Sequence, residues 1–71
     1  MTLQDILENR NEYQIIISDS MDDNIKKVIS IDEFEMIFNN DHQMFCDYLK
    51  LLSSKKFYTR ESEIWYIIKK E

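Results

Sequence analysis

This chain has neither glycine nor proline among its 71 residues. Backbone with positive φ normally falls to glycine, because a Cβ there crowds the neighbouring carbonyl oxygen. Asn and Asp are the next residues to tolerate that conformation. Left-handed turns must therefore fall on Asn or Asp, and Asn9, Asn11, Asn24, Asn39 and Asn40 stand between the periodic segments. The same lack removes whole classes of site. Gly-rich phosphate loops and dinucleotide fingerprints need glycine where backbone meets phosphate.

Thr2-Leu-Gln-Asp5 has the form of a capping box, and Leu3, Ile6 and Leu7 follow helical spacing, which predicts a helix over 2–9. Tyr13 to Ser18 is short and β-branched, which favours a strand. A polar cluster over 19–24 precedes a second strand over 25–30, so 13–30 reads as a hairpin with a long acidic tip. Ser30-Ile-Asp-Glu33 is another capping box, with Ile29 and Phe34 placed to form the hydrophobic staple. Ile31, Phe34, Ile37 and Phe38 line one face of a helix over 31–39, which Asn39-Asn40 stops. Asn40 or Asp41 caps the next helix, over 41–53, whose apolar stripe is Met44, Phe45, Tyr48, Leu49 and Leu52. Strands over 57–60 and 64–68 flank a turn at Glu61-Ser62. In the last strand Trp65 and Ile67 point one way and Ile64, Tyr66 and Ile68 the other. A strand apolar on both faces is central, or it meets a partner.

The segments predict a single α+β domain over 1–71, in the order α-β-β-α-α-β-β, with a small antiparallel sheet packed on helices. A domain of this length buries only about 60% of its unfolded surface, which leaves little room for a deep pocket. One cysteine, Cys46, excludes an internal disulfide. No apolar run approaches the roughly 18 residues of a membrane span. The first ten residues lack the basic-then-apolar pattern of a secretory leader. The expected compartment is the cytoplasm, of a bacterium or of an infected host cell.

Few residues suggest chemistry. His42 lies one turn before Cys46 on a predicted helix, so the two side chains are neighbours. With no glycine-rich loop to form an oxyanion hole, the pair reads as packing and not as a thiol catalyst. Counted from Asp19, a calcium loop needs glycine sixth and glutamate twelfth, but Asn24 and Ser30 stand there. One Cys and one His are too few for zinc. Asp32 and Glu33 occupy the first turn of a predicted helix, where acids favour the helix dipole. No catalytic, cofactor or metal residue is predicted, and the chain is not expected to be an enzyme.

Charge is distributed unevenly. The net charge is −5, yet residues 1–48 hold eleven acids and three bases, and residues 49–71 hold three acids and six bases. With the helix-capping acids set aside, Asp19, Asp22, Asp23 and Glu35 remain as a candidate acidic partner-binding group. Lys55, Lys56, Arg60, Lys69 and Lys70 make the C-terminal hairpin basic. Trp65 and Tyr66 are the candidate hydrophobic interface, since aromatic residues are enriched at binding hot spots. The expected function is a small acidic protein-binding module, an inhibitor or adaptor acting on a host protein with a basic surface. In a sharper form, the acids imitate DNA phosphates and occupy the groove of a nucleic-acid enzyme, as small acidic proteins of phages and mobile elements often do. The Ile-, Asn-, Lys- and Asp-rich composition fits an AT-rich genome of the phage kind.

The order of elements also resembles that of a winged-helix domain, in order and not in any motif. That resemblance implies a DNA-associated transcriptional regulator, dimeric through the strand 64–68, with 41–53 as recognition helix and 55–70 as wing. The outward residues of that helix, His42, Gln43, Asp47, Lys50 and Ser54, include one base and one acid, a poor reader of phosphates. Direct nucleic-acid binding is therefore the alternative expectation.

Overall fold

The chain in its computed structural model, which describes residues 2–70, follows the expected order. Helix α1 (Leu3–Glu8) and a 3-10 turn (Arg10–Glu12) lead into β1 (Tyr13–Asp19) and β2 (Ile25–Ser30). Helices α2 (Ile31–Met36) and α3 (His42–Ser54) follow, and then β3 (Phe57–Tyr58) and β4 (Glu63–Lys69). The four strands form one antiparallel sheet in the order β2-β1-β4-β3. The architecture is α+β.

The two inner strands are the most apolar ones. They pair along their whole length, from Tyr13 opposite Lys69 to Asp19 opposite Glu63. Alternation then sorts their side chains. Tyr13, Ile15, Ile17, Ile29 and Ile67 enter the core with Ile6, Phe34, Phe45 and Leu49, and Trp65 packs against it. Ile16, Val28, Ile64, Tyr66 and Ile68 turn to the other face, and none of them joins that core. The helices therefore cover one side of the sheet, giving two layers.

The two capping boxes behave differently. At Ser30 the box is complete: Ser30 Oγ accepts from the Glu33 N–H at 3.0 Å, and the Ser30 N–H donates to the Glu33 carboxylate at 3.4 Å. Ile29 and Phe34 are both buried across it. At Thr2 only half forms. Thr2 Oγ1 accepts from the Asp5 N–H at 3.1 Å, but the Asp5 carboxylate turns inward to accept from the Tyr13 hydroxyl and Asn9 Nδ2. Tyr13 is buried, so its hydroxyl needs a partner more than an exposed backbone amide does. The bond from Tyr13 holds the Asp5 carboxyl below its ordinary range, and it pushes the Tyr13 phenol up.

Helix α2 stops after Met36, earlier than its periodicity predicts. The Ile37, Phe38 and Asn39 amides bond three residues back, and Asn39 (φ 49°) and Asn40 (φ 70°) reverse the chain. Asp41 then caps α3 by accepting from the Met44 N–H at 3.1 Å. Phe45, Leu49 and Leu52 are buried on α3, but Met44 and Tyr48, expected in its apolar stripe, are 45% and 40% exposed. Helix α3 contacts both α1 and α2, so only the central line of the stripe is covered.

Positive φ falls on Asp23, Asn39 and Asn40, as a chain without glycine requires, and also on Ser62 (φ 61°). Serine has a Cβ and lacks the amide or carboxylate that eases Asn and Asp into this region. Ser62→Gly is expected to raise stability by about 0.5–1 kcal/mol, the relief less the extra backbone entropy of glycine. An unchanged urea midpoint would show that this turn is unstrained.

Candidate functional site

The acidic tip is less acidic in space than in sequence. Asp19 Oδ1 accepts from the Met21 N–H at 2.7 Å, so one carboxylate is tied into its own turn. The Ser20 N–H donates to the Ser62 carbonyl at 2.8 Å, which sets the β1–β2 tip beside the β3–β4 turn and its Arg60. Lys26 binds Glu63 at 3.0 Å. Its ammonium is pushed up by that bond first, with smaller help from Asp19 and Glu61. This end of the molecule carries both signs of charge. Asp22 and Asp23 remain exposed there.

Glu35 is not part of that group. It accepts from Arg10 at 2.8 Å. Arg10 lies just before β1 and the tip lies just after it, and a strand of seven residues spans about 20 Å. The basic residues are likewise dispersed. Lys56 lies over the Tyr66 ring at 5.3 Å, on the uncovered sheet face. Arg60 is at the tip end, Lys69 pairs with Tyr13 at the far end, and the Lys70 N–H donates to the Glu12 carbonyl. Lys55 ends α3. Because β4 is an inner strand joined to β3 by two residue pairs, no hairpin stands out as a wing. On the outer side of α3, Gln43 donates to Asp47 at 3.0 Å, and Lys50 is exposed nearby. Trp65 and Tyr66 go to opposite faces: Trp65 sits 6.2 Å from the Phe34 ring, and its Nε1 donates to Glu63.

Around Arg10 lies a row of polar groups. Cys46 Sγ is 3.4 Å from His42 Nε2, and His42 Nδ1 is 3.7 Å from Glu35 Oε2. The latter exceeds hydrogen-bond range. Arg10 holds the other Glu35 oxygen, binds Asp32 at 2.9 Å and lies 5.5 Å over the Phe45 ring. Its hydrogen bond keeps the Glu35 carboxyl below its ordinary range. The row thus ties the start of β1 to α2 and α3. Among the described residues, no group of three or more His, Cys, Asp or Glu is placed to hold a metal ion.

An apolar groove opens where α2, α3 and β3 meet, with a volume of about 170 Å³. Phe34, Phe38, Tyr48, Leu52, Phe57 and Trp65 line it, and Ile37 stands on its rim, 54% exposed. The early end of α2 builds it. The turn at Asn39-Asn40 lifts Ile37 out of the core and lays Phe38 against Tyr48, with ring centroids 5.4 Å apart. Phe57 meets the edge of Tyr48 at 6.2 Å. Periodicity assigns Ile37 and Phe38 to a buried face, so the groove is missed in the sequence; its one signal is the run of aromatic residues around an Asn-Asn stop. The groove is smaller than the roughly 300–1,000 Å³ of small-molecule sites and suits one apolar side chain. A furrow lined by Ile17, Ile29, Lys26 and Lys27 continues from it past Ile37 and Trp65.

The chain matches no protein family, no curated protein and no solved structure compared with it. No helix among the described residues is long and apolar enough to cross a membrane.

Proposed function

We propose that this domain is a protein-binding module, an inhibitor or adaptor, that takes one apolar side chain of its partner into the aromatic groove. The groove is the observation that carries the reading. Its walls are rigid aromatic rings of the kind that dominate binding hot spots, and its size suits an anchor residue and not a cofactor. A net charge of −5 supports fast, salt-sensitive approach to a basic surface around that anchor.

Trp65 is the lone tryptophan and lines the groove, so its emission reports occupancy. A partner captured from host lysate on the immobilised chain, then purified and titrated back, is expected to shift that emission. Ile37→Lys is expected to weaken binding by about thirtyfold or more, the effect of losing a hot-spot contact. Tyr58→Ser, on the other side of the sheet, is expected to leave affinity unchanged. Equal affinities for the wild type and Ile37→Lys, with Trp65 emission unmoved, would overturn the reading.

A further inference from the structure

We propose that the uncovered face of the sheet is the interface of a symmetric homodimer. This goes beyond the groove reading and does not depend on it. Of the whole chain 32% is charged, yet no strand residue pointing to this face is. Ile25, Val28, Tyr58, Ile64, Tyr66 and Ile68 form most of it, with the uncharged Gln14, Ser18 and Ser30 beside them. Tyr58, Ile25 and Val28 are 65%, 59% and 46% exposed. Ile16 beneath them is buried with no helix over it. Contiguous exposed apolar surface on a soluble fold marks an interaction site.

Charge singles out this face for self-association. Each copy carries a net −5, so two copies repel through their other surfaces. Here the strand residues bring no charge, and a twofold axis lays apolar rows on apolar rows without demanding an ion pair. A different protein using charged groups would find no charged strand residue to pair with here, and Lys56 already lies on the Tyr66 ring. The sheet edges point the same way. Edge strand β2 is bulged near Ile17 and carries Lys26 and Lys27, and β3 is two residues long, so pairing edge to edge is blunted.

Area is sufficient. The three long strands make the face about 20 Å by 15 Å and β3 adds a short fourth row, on the order of 500 Å² of accessible surface with side-chain relief. Two copies would bury about 1,000 Å², about the least that a specific interface needs. The dimer is then helices outside and two sheets within.

Sedimentation equilibrium of the full chain, from micromolar to millimolar concentration, tests this. The mass is expected to rise from 8.7 kDa to twice that value. Val28→Lys is expected to remain at 8.7 kDa throughout, with the far-UV spectrum of the wild type. Tyr58→Glu, on the opposite edge, is expected to do the same and decides the matter if Val28→Lys fails to fold. Ile37→Lys, on the helix side, is expected to dimerise like the wild type. A wild type that stays monomeric at millimolar concentration overturns the proposal. So does a dimer that survives in a folded variant of this face, or one lost with Ile37→Lys.

Discussion

Phe45→Ala is expected to cost about 3–5 kcal/mol, a large share of the protein's stability. Phe45 is fully buried, and its ring lies 6.1 Å from Phe34, 6.4 Å from Phe38 and 5.5 Å beneath the Arg10 guanidinium. Removing a buried phenyl ring costs about 3–5 kcal/mol, through lost transfer energy and the cavity left behind. A domain of this length has a total stability of about 4–11 kcal/mol. The loss is therefore comparable with the whole at the lower end of that range. Urea unfolding followed by circular dichroism measures it. A loss below about 1.5 kcal/mol would show that α2 and α3 collapse into the space, and that Phe45 is not the centre of the helix layer.

Arg10→Ala is expected to cost about 1–2 kcal/mol and to alter the pH dependence of stability. Arg10 makes two charge-assisted bonds, to Asp32 and Glu35, but its side chain is 29% exposed, so solvent discounts their worth. In the folded protein the Glu35 carboxyl titrates below its ordinary value of 4.5. Its ion pair therefore contributes in full above 4.5 and is lost as pH falls through the lower folded value. Asp5, through Tyr13, and Glu63, through Lys26, shift in the same direction. Wild-type stability should decline on acidification below about 4.5, and Arg10→Ala should decline less steeply, so the two curves converge. Parallel curves down to the lowest pH would mean that Arg10 acts through its packing on Phe45 alone.

What could be read in advance was local. The Ser30 box, the Asp41 cap and the two-sided apolar pattern of β4 depend on residues within a few positions of each other, and each appears where spacing places it. The misreadings involve distance. Asp5 abandons its own cap for Tyr13, which only the fold brings near. Met44 and Tyr48 fit the stripe of α3, but how much of a stripe is covered depends on which neighbours dock beside it. The acids looked like one group because they crowd one stretch of chain, while β1 keeps Glu35 and the tip at opposite ends. The bases looked like one hairpin, but β4 was taken into the middle of the sheet. The aromatic groove belongs to three segments at once, and no window along the chain contains it.

The pairing of β1 with β4 also has a kinetic consequence. The central ladder joins the first strand to the last, and the intervening helices rest on both. Closing so long a loop costs entropy before the contacts return any energy. A chain emerging from the ribosome would carry β1 with one edge open until β4 is released. Completion of the core is thus a late event, and synthesis halted before Glu63 would leave that edge of β1 unpaired and prone to association.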